Sequence, residues 1–286
     1  MRAYLALLRP PNVVTAIADV LAGYAVSGLG NPPALPWLIV ATACLYAGGV
    51  VLNDFFDRHL DAVERPERPI PSGAVSPAGA AVLGATLLAV GVGAATHATP
   101  AAAALGAAIA ALVVLYDVWG RRQAVFGPVN MGLCRALNLL LGIAAVPAAL
   151  AASWPLAFLP FVYIAAVTTV SRAEVPGGKV GAAIPALISL SGVVLALAAV
   201  GVRAGSHAPA ALVLTAALGW RVLPRFWRLR RVSDPAAIRL AVKTGVLSLV
   251  LLDAAISAAY AGPLYSAIVL ATAVTASWLA RLFSVT

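Results

Sequence analysis

From residue 12 to residue 283 the chain is a succession of apolar runs, each long enough to cross a lipid bilayer as a helix. A bilayer core about 30 Å thick takes about 20 apolar residues per helical crossing. Runs of that kind fall near residues 12–29, 35–53, 77–97, 100–117, 127–149, 155–171, 181–202, 207–223, 238–260 and 263–283. In hydrocarbon every backbone polar group must be satisfied within the chain, so such runs become helices. The expected fold class is therefore all-α, a polytopic membrane bundle of nine to ten transmembrane helices, with residues 1–286 as one integral-membrane domain. Charged residues make up only 10% of the sequence, well under the roughly 25% of a soluble domain. Cys44 and Cys134 lie inside apolar runs with no metal-ligand spacing, and they read as packing residues.

The connections alternate in character. GNPPALP, HATP, AASWP and AGP are short and carry little charge, whereas the others hold Arg58, Arg65, Arg68, Arg121, Arg122, Arg172, Lys179 and the cluster from Arg221 to Arg231. Lysine and arginine outnumber aspartate and glutamate by 19 to 10, with a pI near 10.3. Because the cations sit between apolar spans, they point to topology and anionic headgroups rather than to nucleic acid. The positive-inside rule puts the basic loops and both termini in the cytoplasm, in a bacterial inner or plasma membrane. The N-terminus has a basic start and no small-residue cleavage site, so it reads as retained.

One stretch departs from this pattern. VVLNDFFDRHLD gathers Asp54, Asp57 and Asp61 with Asn53 at the end of an apolar run, using three of only ten acidic residues. Their i, i+3, i+7 spacing puts the three carboxylates on one helical face. Like charges so placed repel, and a hard divalent cation with oxygen ligands would relieve them. Mg²⁺ typically takes one or two carboxylates, keeps several waters and accepts substrate phosphate oxygens. The plainer alternative is a solvated turn at the membrane edge, balanced by Arg58, Arg65 and Arg68. Polar residues also lie inside the spans: Asn12 and Asp19 share a face, Asn130, Cys134 and Asn138 recur every four residues beside Arg135, and Asp253 sits in the ninth run. Ionisable groups at such depth face the bundle interior. Asp19, Arg135 and Asp253 serve either a binding cavity or as paired structural glue.

NDFFDRHLD followed by ERPERPIPSG resembles the first aspartate-rich motif and loop of the UbiA superfamily of membrane prenyltransferases. LLRPPN, with Arg9 and Asn12, is similar to that family's start, and YDVWGRR stands where the family has a tyrosine followed by lysine or arginine. GPVNMGLCRALNLLLG and VSRAEVPGGK look closest to the UbiA-like EboC branch. The resemblance implies a bundle around a central cavity, in which Mg²⁺ and a prenyl diphosphate meet and the prenyl group passes to an acceptor, often aromatic. It implies Asp54, Asp57 and Asp61 as catalytic metal ligands, with Glu174 as a further ligand. Asn53, Arg65, Arg68, Arg121, Arg122, Arg172 and Lys179 would contact the diphosphate. Asn12, Asp19, Tyr116, Asn130, Arg135 and Asn138 would line the cavity toward the acceptor.

The second motif of the family normally brings two aspartates after the sixth span; here TTVSRAEVPGGK offers Glu174 alone. Asp117 could contribute from a neighbouring loop. The partners implied are a prenyl diphosphate, a small-molecule acceptor and the bilayer, with no nucleic acid. A reduced second motif leaves open a protein that binds or carries an isoprenoid without transferring it. A transporter with an Asp–Arg relay is the third reading.

Overall fold

A computed structural model describes residues 2–172, 183–231 and 234–281, so Glu174 and Lys179 lie outside the described residues. Those residues form helices and short connections, with no strand among them. In chain order the helices are α1 (Arg2–Leu7), α2 (Pro10–Val26), α3 (Ala34–Glu64), α4 (Pro77–Ala98), α5 (Pro100–Val118) and α6 (Phe126–Ile143). They continue with α7 (Pro147–Ser153), α8 (Phe158–Ser171), α9 (Ala183–Val202), α10 (Ala208–Arg228) and α11 (Pro235–Leu279).

The starts are written locally. Proline occupies the first turn of α2, α4, α5, α7, α10 and α11, where its missing N–H costs nothing. Ser76 and Thr99 cap α4 and α5 by accepting from Gly79 N and Ala102 N. Thr99 alone separates those two helices, and it also donates to Ala144 O at 2.8 Å, which ties the hairpin to the end of α6.

Among the described residues seven segments are long and apolar enough to cross a membrane: α3, α4, α5, α6, α7 with α8, α9, and α11. At 45 residues α11 is more than twice the length one crossing needs, and it bends at Gly262, whose φ of 82° is non-helical. With its second arm, the 17-residue α2 and the arginine-bearing α10, the described residues match the ten expected runs. Several boundaries differ: α2 is shifted to Pro10–Val26, and α10 continues to Arg228, which puts Arg221, Arg225 and Arg228 on a helix. The run at 35–53 does not stop before the aspartates, because α3 continues unbroken to Glu64. The run at 127–149 ends at Ile143, and Pro147 starts a short separate helix.

Two apolar cores lie side by side. One joins α3, α4 and α5 with Val20 and Tyr24 of α2. The other joins α8, α9, α10 and α11 with Ala22 and Val26 of α2 and Leu139 and Ile143 of α6. The α2–α6 pair is the seam between them. It is unusually close: a Cβ on Gly23 would sit 2.1 Å from Leu139 O, and one on Gly142 would sit 2.2 Å from Val20 O. Small residues at a membrane helix crossing permit this approach. Outward, Trp220, Leu264, Leu195 and Val274 are exposed, as lipid-facing side chains are.

Candidate functional site

The aspartates on α3 share one face, as their spacing requires, and each meets an arginine from elsewhere in the chain. Arg9 Nη2 lies 2.5 Å from Asp54 Oδ1. Arg68 Nη1 bridges two carboxylates, at 3.4 Å from Asp54 Oδ1 and 2.7 Å from Asp61 Oδ2. Arg121 pairs with Asp57. Asp54 and Asp61 are each only 5% exposed, so these pairs operate where water screens little. Arginine side chains thus pack directly against the aspartates. A cavity of about 480 Å³ lies elsewhere, lined by Ser153, Phe158, Arg203 and Tyr260, at the helix ends remote from Asp54.

Each arginine is set by its local chain. Arg9 stands between α1 and α2 in the left-handed region, with φ 45° and ψ 63°. A non-glycine residue is held there at a cost of order 1–2 kcal/mol, which marks the position as constrained by its surroundings. Arg68 sits in a folded loop: Arg68 N bonds Arg65 O, Ser72 N bonds Arg68 O, and Val75 N bonds Pro69 O. Ile70 and Val75 bury against Leu7, Val51 and Ala80, pinning that loop to α3. Arg121 belongs to a single 3₁₀ turn, Gly120–Arg122, after α5. Its Nη2 donates to Phe56 O at 3.2 Å, and burial together with neighbouring Arg122 lowers its pKa. Arg172 Nη1 donates to Arg121 O at 2.9 Å, close above the bare Cα of Gly127.

Asn53 points to the next helix, donating from Nδ2 to Asp117 Oδ1 at 3.1 Å. Tyr116, half-buried, lies near Asp117 and Arg172. Arg65 and Arg122 are exposed and form no ion pair among the described residues. Arg58 turns aside onto the Phe55 ring, 4.5 Å from its centroid.

The residues expected along the cavity separate into two places. Asp19, Arg135 and Asn138 form a buried knot on the α2–α6 seam: Arg135 Nη1 to Asp19 Oδ2 at 2.8 Å, Asn138 Nδ2 to the same oxygen at 2.9 Å, and Thr42 Oγ1 to Asn138 Oδ1 at 2.7 Å. Arg135 also lies over the Tyr46 ring, 5.2 Å from its centroid, and Asp253 approaches Asp19 from α11. Asn130 is apart from that knot. It donates to Leu112 O at 3.1 Å and accepts from Cys134, clasping α6 to α5. Asn12 is half-buried in the first turn of α2. Arg9 and Asp117 complete the arrangement beyond the residues chosen from spacing; for Arg9 the only advance signal was its place in LLRPPN.

Among the described residues no three acidic, histidine or cysteine side chains converge into a metal cage. The donor chemistry nevertheless suits Mg²⁺, which needs only one or two protein carboxylates when phosphate and water supply the rest. The same arginines that pair the aspartates are the groups that bind phosphate, often bidentately.

The profile of the UbiA prenyltransferase family matches residues 13–242. Among curated relatives, a digeranylgeranylglyceryl phosphate synthase of Methanopyrus kandleri is 42% identical over 117 residues, covering 41% of this chain and 43% of that protein. One of Ignicoccus hospitalis is 32% identical over 183 residues, covering 62% of this chain and 58% of that protein. The similarity thus spans about half the length of these relatives. A solved structure described as digeranylgeranylglyceryl phosphate synthase superposes with a TM-score of 0.68 at 19% identity, covering 90% of this chain and 96% of that one. A UbiA homologue of Archaeoglobus fulgidus bound to GPP and Mg²⁺ superposes at 0.63 with 17% identity, covering 94% and 99%. At such identities the superpositions establish the fold.

Proposed function

Because the chain belongs to the UbiA prenyltransferase family, we propose that it transfers an isoprenyl group from a prenyl diphosphate to a hydroxyl of a glycerol-phosphate-type lipid. The observation that carries this reading is the interlocked set of Asp54, Asp57 and Asp61 with Arg9, Arg68 and Arg121 at one end of an apolar bundle. It offers oxygen ligands for a divalent cation and guanidinium groups for phosphate side by side. The acceptor class follows the name of the relatives and replaces the aromatic acceptor expected from the wider family. The likeness of GPVNMGLCRALNLLLG to the EboC-like branch is a finer reading that rests on those segments, whereas the relatives carry the digeranylgeranylglyceryl name.

In this reading Asp54, Asp57 and Asp61, with Glu174, would hold Mg²⁺, which would supply positive charge to the departing diphosphate. Arg9, Arg68 and Arg121 leave their carboxylates for the phosphate oxygens and neutralise the same developing charge. Arg65, Arg122, Arg172 and Lys179 provide further cations on that side, and Asn53 keeps α3 aligned with α5. The C–O bond to diphosphate breaks as a C–O bond to the acceptor oxygen forms, and the hydroxyl proton leaves to solvent. The apolar helices keep water from the allylic carbon while it carries positive charge. Residues 1–286 act as one membrane domain whose basic end, by the positive-inside rule, faces the cytoplasm.

The test incubates the purified protein in detergent with Mg²⁺, geranylgeranyl diphosphate and a glyceryl phosphate bearing one prenyl chain. Diphosphate release should require both the acceptor and Mg²⁺, and should be lost in D54N and D57N. Binding of the donor without release in any acceptor would support an isoprenoid carrier instead. Donor binding that ignores Mg²⁺ and both aspartates would overturn the reading.

A further inference from the structure

Four buried or half-buried carboxylates lie at the basic end of α3 and α5, Asp54, Asp57, Asp61 and Asp117, and the first three are matched with arginines. The fourth is Asp117, at the last turn of α5. It is 2% exposed. Its Oδ1 accepts only from the neutral Asn53 amide at 3.1 Å, and its Oδ2 is buried with no hydrogen-bond partner. Leaving a buried carboxylate oxygen unmatched is costly unless a water or an ion completes it. Asp54, next to Asn53, is near enough to repel it electrostatically. Asn53 holds the two carboxylates near one another, yet no described cation pairs with Asp117.

Which cation fits follows from this arrangement. Arg9 and Arg68 are engaged by Asp54 and Asp61, Arg121 by Asp57, and Arg172 by a backbone carbonyl. Arg65 and Arg122 are exposed and pair with no described carboxylate, so Asp117 is left without a cation among the described residues, and one that enters with a ligand would complete it. A hard divalent ion bound by one or two carboxylates and completed by water and phosphate suits a buried, unpartnered carboxylate oxygen on a residue near enough to Asp54 to feel its charge. We propose that Asp117 supplies the carboxylate opposite the α3 aspartates for a divalent cation that enters with the donor diphosphate. In this chain α5 would then take over part of the work that a second aspartate pair after α8 performs elsewhere. The proposal rests on the prenyl diphosphate reading above.

The test uses Mn²⁺ as the ion and geranyl S-thiolodiphosphate as a donor that does not turn over, with the full chain in detergent. Electron paramagnetic resonance measures bound Mn²⁺ and calorimetry measures the analogue. Wild type should bind Mn²⁺ in the presence of the analogue, D117N should weaken Mn²⁺ by about tenfold or more, and E64Q, at an exposed glutamate on the same end of α3, should not. Without metal, D117N should bind the analogue as wild type does, because the arginines remain; a purely structural role for Asp117 would disturb both. If D117N melts early, D117E is compared with D117Q at equal length, and only the carboxylate should restore Mn²⁺. Equal Mn²⁺ affinity in wild type and D117N, with loss in D57N, would refute the role of Asp117 and leave the prenyl diphosphate reading standing. A wild type that binds neither probe would overturn both.

Discussion

Replacing Arg135 by methionine tests how charge is balanced at the centre of the bundle. Arg135 Nη1 donates to Asp19 Oδ2 at 2.8 Å, and the Asp253 carboxyl stands beside that of Asp19. Both aspartates are 0% exposed, and Arg135 is the one cation that pairs with this knot among the described residues. One guanidinium thus serves two buried carboxyl groups. Removing a partner from a buried ion pair costs about 3–5 kcal/mol because the remaining charge is stranded. An ordinary polar contact between membrane helices averages only about 0.6 kcal/mol, with a maximum near 1.7. The two descriptions are therefore separable. R135M should lose at least ~3 kcal/mol in equilibrium unfolding with rising SDS fraction in mixed micelles. D19N/R135M should recover about half of that loss, since the amide oxygen introduced on α2 can still accept from Asn138 and carries no charge. A loss below about 1 kcal/mol in R135M, or a double variant no more stable than the single, would refute this account of the knot.

Two further outcomes follow from the backbone. G142A should destabilise by about 1–3 kcal/mol, because its Cβ would meet Val20 O at 2.2 Å, whereas G93A, with nothing within 4 Å, should be neutral or stabilising in the same unfolding assay. R9G should be about 1 kcal/mol more stable than R9A because glycine accepts the left-handed backbone of Arg9, while the two variants should lose donor binding equally in calorimetry.

The helices were legible in the sequence because lipid permits so few alternatives: length and apolarity alone locate the segments, and the Gly262–Pro263 break marks itself. The shared face of Asp54, Asp57 and Asp61 was also readable, because it depends only on helical pitch. What the sequence could not supply was partnership across distance. The Arg9–Asp54 bond joins residues 45 apart, and nothing local to LLRPPN says which carboxylate it will meet. The stripe Asn130, Cys134, Asn138 shows a subtler limit. Each four-residue step drifts about 40° around a 3.6-residue helix, so Asn130 bonds α5 while Asn138 bonds α2. A pattern regular in sequence is thereby divided between two neighbours.

The unbroken course of α3 also sets a depth. Asp54 lies twenty residues beyond Ala34, the first residue of the helix, which at 1.5 Å per residue is about 30 Å, the thickness of the hydrocarbon layer. Asp57 and Asp61 continue along the same rod for about 10 Å more, into the layer where phospholipid phosphates reside. If the proposed prenyl diphosphate is engaged by these aspartates and arginines, its charged head would lie level with the bilayer's own headgroups and its hydrocarbon tail would have only one way to run. Tails of different length would start from the same plane, so in the proposed reaction the helix would fix where a bond changes hands without fixing how long the molecule is.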